Sequence, residues 1–237
     1  MRLDKLLANM GYGSRKDVKG LLKKKHVSVN DLVVRDGSMH IEPSTDVVKV
    51  KDEVVEYKKY IYLMMNKPAG YISATEDTRE KTVIDLLSPE MQHFQPFPVG
   101  RLDKDTEGLL LLTNDGNLAH QLLSPKKDVY KTYYAKVEGN VTEEDVKEFT
   151  NGVTLDDGYV TKPAILEVIQ RGSISEVKVQ ITEGKFHQVK RMFIAVGKKV
   201  SYLKRIRMGE LELDSSLTPG NYRELNEKEL SYCQSLT

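Results

Sequence analysis

The chain of 237 residues holds a single cysteine, Cys233. One thiol cannot close an internal disulfide or build a cysteine-rich metal site. The five histidines are scattered without the paired spacing of metal ligands, so no metal is expected. No apolar run reaches the length of a membrane-spanning helix, and no membrane partner is expected. The N-terminus lacks the apolar core of a secretion signal, which predicts a cytoplasmic protein. A P-loop and a glycine-rich dinucleotide turn are missing, and with them the usual marks of nucleotide cofactors. Internal repeats, low-complexity segments and heptads are missing too. Nothing in the pattern demands a second copy or an obligate protein partner, so a monomer is expected.

What remains is a mixed chain, 39% hydrophobic, with enough apolar residues for a real core. Its length suits one large domain or a small and a medium one. The net charge of +1 hides an uneven spread. Residues 1–27 carry eight Lys/Arg against two Asp, and residues 185–207 carry eight Lys/Arg with no Asp or Glu. Two basic surfaces on a near-neutral chain point to a polyanion bound at defined places, and the plainer alternative for each block is a solvated helix face.

Leu3, Leu6, Leu7 and Met10 follow i, i+3, i+4, i+7 spacing and predict a helix over 2–10, ended by Gly11 and Gly13. Ser14 with Asp17 predicts a capping-box start to a second helix. Val18, Leu21 and Leu22 give that helix its apolar face, and Arg15, Lys16, Lys19, Lys23, Lys24 and Lys25 decorate the rest. Val27 and Val29 begin a short strand. Asp52 to Lys59, charged and aperiodic, reads as a linker, which places a domain boundary near residue 58.

Beyond it, Tyr60–Met65 reads as a central strand stopped at Asn66-Lys67-Pro68, and Gly70–Ser73 as the start of another. Thr82–Leu87 reads as a short capped helix. Leu118, Leu122 and Leu123 line a helix ended by Ser124-Pro125. Residues 130–139 form a strand, with Lys131, Tyr133, Ala135 and Val137 on one face. Thr142 caps a helix closed by Gly152. Residues 164–169 and 176–182 pair around Arg171-Gly172. A basic helix spans about 186–196, a strand region spans 200–213, and Asn226 caps a C-terminal helix. Strands and helices mix without regular βαβ alternation, which predicts an α+β domain on a largely antiparallel mixed sheet flanked by helices.

One stretch organises this second part. Gly100-Arg101-Leu102-Asp103-Lys104-Asp105-Thr106-Glu107-Gly108 is a polar turn that runs into four leucines and stops at Asn114-Asp115-Gly116. The leucines read as a strand buried on both faces, with Asp103 on a tight loop anchored to it. On composition alone, Asp103 reads as a turn residue or a partner for Arg101.

The whole string changes that reading. "GRLDKDTEGLLLLTNDG" resembles the signature loop of the RsuA-type family of pseudouridine synthases, in which the Asp of G-R-L-D is catalytic. "KTYYAKVEG" resembles the family's K-x-Y strand motif and implies Tyr133, rather than Tyr134, as the active-site tyrosine. "EGKFHQVKRMFIAVG" resembles a third motif, whose basic partner of the catalytic Asp falls on Lys190, with Arg191 next. "NKPAGYISAT" matches a further stretch. "RLDKLLA" and "GSRKDVKGLLKKKHVSVND" resemble an S4 RNA-binding domain. The resemblance covers essentially the whole chain. It implies a small S4-like domain over 1–58, linker included, and a catalytic domain over 59–237.

The implied reaction isomerises uridine to pseudouridine in RNA, with no cofactor. Catalytic roles fall on Asp103, Tyr133 and Lys190, and RNA contacts on Arg101, Arg191 and the six cations from Arg15 to Lys25. Three roles suit an ionised Asp103: attack at C6 of the base, attack at C1′ of the sugar, or removal of the 2′ proton. Tyr133 offers a ring for an extruded base. Without the motifs, Tyr133 reads as a half-buried strand residue, Lys67 as a turn residue beside Pro68, and His187 as a local hydrogen-bonding group. Asp105 and Glu107 read as loop braces. "RLDKLLA" and the Lys of "HQVKRMF" favour 16S small-subunit rRNA, free or in an assembling particle, with a uridine-516-type target. The alternatives are a 23S large-subunit enzyme and a non-catalytic S4-domain RNA-binding or ribosome-assembly factor. An S4 protein acting on a free nucleoside is the weaker third.

Overall fold

A computed structural model describes residues 1–124 and 127–236. Contacts group them into two units: residues 1–60 with 88–95, and residues 61–87 with 96 onward.

The first unit holds α1 (Leu3–Asn9), α2 (Arg15–Lys23), β1 (Val27–Val29), β2 (Leu32–Val33), β3 (Val48–Val50), β4 (Glu53–Val54) and α3 (Pro89–His93). The capping box forms at α2: the Ser14 hydroxyl accepts from the Asp17 amide, and the Ser14 amide donates to the Asp17 carboxylate at 2.9 Å. This start rotates Val18 and Leu22 inward, where they meet Leu3, Leu6 and Leu7 of α1 and the valines of β1 and β3. Arg15, Lys16, Lys19 and Lys23 are left exposed, followed by exposed Lys24 and Lys25. The strands form an antiparallel sheet in the order β2-β1-β3-β4.

The expected linker is in part structured: Glu53–Val54 pair with β3, and Val55 and Tyr57 pack on the core. Lys and Glu outnumber apolar residues there and mask a two-residue strand. Helix α3 was not expected. It is too short to show a repeat, although Ser88 as N-cap before Pro89 is a start signal. His93 Nε2 lies 3.0 Å from the Ala8 carbonyl oxygen.

The second unit holds β5 (Tyr62–Lys67), β6 (Phe97–Pro98), β7 (Glu107–Thr113), α4 (Gly116–Leu123), β8 (Lys131–Glu138), α5 (Glu143–Asn151), β9 (Ile165–Gln170), β10 (Ile174–Ile181), α6 (Gln188–Ala195), β11 (Lys199–Met208), β12 (Leu211–Glu212), β13 (Tyr222–Glu224) and α7 (Glu227–Ser235). Among the described residues, the main sheet runs β13-β5-β7-β11-β8-β10-β9, with β6 on β7 and β12 on β11. All its pairings are antiparallel except β7 with β11, so this is an α+β unit.

Leu109–Leu112 of β7 are buried, as a strand covered on both faces requires. Gly108 permits the close approach of β11. Its φ is +101°, and a Cβ there would stand 2.1 Å from the Arg205 carbonyl oxygen. Asp115 stops β7 and caps α4, its carboxylate accepting from the amides of Asn117 and Leu118. Pro125, expected with Ser124 to end α4, lies outside the described residues.

Two expectations are corrected. Gly70–Ser73 makes only one bridge, between Ile72 and Thr82, because its polar groups bind the 102–104 backbone instead. The basic helix starts at Gln188, since His187 takes a left-handed backbone, φ +49°. Among the described residues, no helix is long and apolar enough to cross a membrane.

Candidate active site

Asp103 sits on the loop between β6 and β7, and that loop is stapled from beneath. Lys67, at the end of β5, is fully buried. Its ammonium donates to the carbonyl oxygens of Thr106 at 2.8 Å, Asp103 at 3.0 Å and Pro68 at 3.0 Å, with Lys104 at 3.3 Å. The Gly70 amide donates to the Lys104 carbonyl, and the Ser73 hydroxyl binds both backbone groups of Leu102 at 3.0 Å. A buried cation needs such partners. Burial lowers the Lys67 pKa to about 8, against the opposing pull of Asp105, Asp103 and Glu107. Read from sequence as a turn residue, Lys67 is a positioning residue. The sequence signal for this role is an ammonium that continues the apolar strand into the "NKPAG" stretch.

Above the loop, α6 presents Lys190 in its first turn. Lys190 Nζ lies 3.2 Å from Asp103 Oδ2 and 2.6 Å from Asp105 Oδ1. The cation is shared, and its hydrogen bond holds the Asp105 carboxyl below the usual range. His187 Nε2 is 3.6 Å from Asp103 Oδ1. A left-handed backbone at a non-glycine residue is strained by about 1–3 kcal/mol, and such strain gathers at working sites.

Asp103 lines two adjoining cavities. The inner one, about 50 Å³, also touches Tyr133, Thr106 and Leu203. The outer one, about 330 Å³, is bordered by Arg101, Lys104, Lys185 and Phe186. The outer volume falls at the low end of the range for ligand sites. The buried Thr106 hydroxyl has no protein partner. A larger cavity, about 720 Å³, lies by Thr132, Arg207 and Tyr232 and contains neither Asp103 nor Lys190; its size alone gives it no chemistry.

The structure therefore gathers Asp103, Tyr133 and Lys190 at one place. Tyr133 is 8% exposed on β8, between Val179 and Arg205 of the neighbouring strands. Tyr134 points to the other face, edge-on to Tyr202. Arg191 is not paired with Asp103. It is held by Asp156 and by Asp157, the latter at 2.7 Å. Arg101 is exposed at the outer cavity. The six cations from Arg15 to Lys25 belong to the first unit.

The chain matches the RNA pseudouridylate synthase family over residues 61–195 and the S4 domain over residues 1–48. It is 55% identical, over 97% of both chains, to an uncharacterized RNA pseudouridine synthase of Bacillus subtilis (strain 168). It is 38% identical, over 98% of this chain and 99% of the relative, to ribosomal small subunit pseudouridine synthase A of Escherichia coli (strain K12). A pseudouridylate synthase crystal structure superimposes with a TM-score of 0.69 at 34% identity, covering all of both chains. The protein belongs to the RNA pseudouridine synthases, isomerases that here carry an S4 domain.

Proposed function

We propose that the chain isomerises one uridine of 16S small-subunit rRNA, a uridine-516-type site, with Asp103, Tyr133 and Lys190 as its catalytic residues. Residues 1–58 serve as the RNA-binding module and residues 59–237 as the catalytic domain. The observation that carries the reading is that Asp103 makes a 3.2 Å contact with Lys190 and lines a cavity together with Tyr133.

The target base leaves its stack, at roughly a few kcal/mol, and enters beside Tyr133. Asp103 acts on the sugar or the base, and Lys190 supplies the compensating charge in a site that loses water. The C1′–N1 bond breaks, the base turns, C5 bonds to C1′, the C5 proton leaves and N1 regains one. The Tyr133 hydroxyl is placed to assist at C5. Phosphate contacts from Arg15, Lys16, Lys19, Lys23, Lys24 and Lys25 supply affinity and placement rather than sequence reading. The protein works in the cytoplasm as a monomer on rRNA or an assembling small subunit.

The 38–39% identity to relatives named for the small subunit supports the target. Pseudouridine mapping of rRNA from cells lacking the protein tests it. Loss at one small-subunit uridine, restored by the wild-type gene, is expected. Loss at a large-subunit uridine moves the target to 23S rRNA, and no loss at any rRNA site overturns the ribosomal assignment.

A further inference from the structure

Phe186 is 74% exposed, unusual for a large aromatic side chain. It is not loose: its ring stacks on His187, with centroids 3.8 Å apart and planes 19° from parallel. The left-handed backbone at His187 holds that pair at the head of α6. One face of Phe186 is thus backed by an imidazole, and its exposure leaves the other open. The ring stands at the rim of the outer cavity, which Asp103 lines and Arg101, Lys104 and Lys185 surround.

An open aromatic face among cations, beside the reacting carboxylate, suits a nucleobase with its phosphates. The target base belongs deeper, where Asp103 and Tyr133 share the inner cavity. The rim is left for a neighbouring nucleotide.

We propose that Phe186, backed by His187, is the stacking platform for the base of a nucleotide flanking the target uridine, with Arg101 facing its phosphate; Lys104 is paired with Glu80 at 2.6 Å and the Lys185 ammonium lies over the Tyr159 ring at 4.5 Å. This rests on the reading of the Asp103 cavity as the place of uridine isomerisation. Splaying the flanking base onto Phe186 would hold the strand open while the target base turns.

The test uses the full-length protein and two small-subunit rRNA fragments, carrying 2-aminopurine immediately before or after the target uridine. Wild type, Phe186→Ala and Phe186→Trp are compared for fluorescence change on binding and for pseudouridine formation. In one fragment, wild type and the Trp variant should quench 2-aminopurine and the Ala variant should not. Phe186→Ala should raise KM roughly 5- to 150-fold, the range set by one base–aromatic stack, and leave kcat within about threefold. Because the side chain is exposed, the variant should unfold at the wild-type midpoint. Turnover by wild type with no change in quenching or KM for Phe186→Ala overturns the platform alone. A wild-type protein that forms no pseudouridine in rRNA overturns the functional reading, and the platform with it.

Discussion

Replacing Lys67 by methionine keeps the length of a buried side chain and removes the donor beneath the Asp103 loop. The ammonium makes three bonds of 3.0 Å or less to backbone carbonyls. A hydrogen bond from a charged group contributes about 1.5–3 kcal/mol, so together they contribute roughly 4–9 kcal/mol. Against this stands the burial of the charge. A pKa lowered from 10.5 to about 8 corresponds to a penalty on the order of 3 kcal/mol at neutral pH. The Lys67→Met variant would avoid that penalty and orphan the carbonyls, a net loss of roughly 1–6 kcal/mol at neutral pH.

The same numbers fix a pH signature. Between pH 8 and 10.5 the unfolded chain keeps the Lys67 proton and the folded chain does not. The folded wild type therefore gains stability as pH rises through that window, by up to roughly 3 kcal/mol, while Lys67→Met has no such group to titrate. Urea unfolding of both proteins at about pH 7 and about pH 10 should show the gap between them widen. A constant or shrinking gap, or equal stability at neutral pH, would refute the account of the buried ammonium. Turnover reads the positioning role: a loop displaced by about 1 Å costs on the order of 100-fold in rate, so Lys67→Met should lower kcat far more than it raises KM.

Three further outcomes follow from the geometry. Gly108→Ala forces a Cβ against the Arg205 carbonyl in a left-handed backbone, and should lose about 3–5 kcal/mol in denaturant unfolding; a loss under about 1 kcal/mol would show that β7 and β11 can part cheaply. Lys190→Met should lower kcat about 100-fold, with Lys190→Arg recovering part of it, whereas near-wild-type turnover would remove Lys190 from the chemistry. If the six cations from Arg15 to Lys25 each contact a phosphate of single-stranded RNA, log affinity should fall with log salt at a slope of about −4; a flat response is incompatible with phosphate-led binding.

Much of this was legible before the fold. The Ser14–Asp17 start of α2, the buried leucines of β7 and the caps at Thr142 and Asn226 are local signals, and local physics decides them. What failed was decided at long range. Gly70–Ser73 has the composition of a strand but binds a loop some thirty residues on. Lys67 looked like a turn residue because nothing near it in sequence shows that four carbonyls converge on its ammonium. The motifs placed Asp103, Tyr133 and Lys190 together. The sharing of Lys190 with Asp105, and the diversion of Arg191 to Asp156 and Asp157, depend on loop geometry that no spacing encodes.

The most direct test of the central claim is single-turnover pseudouridine formation in a small-subunit rRNA fragment, comparing wild type with Asp103→Asn at matched, saturating RNA binding. Asp103 is partly exposed and its Asn replacement keeps the shape of the side chain, so the variant should bind RNA and unfold as wild type does. The account expects no detectable pseudouridine from Asp103→Asn. Product formed at a rate within about tenfold of wild type would contradict it and send the search for the reacting group elsewhere in the cavity.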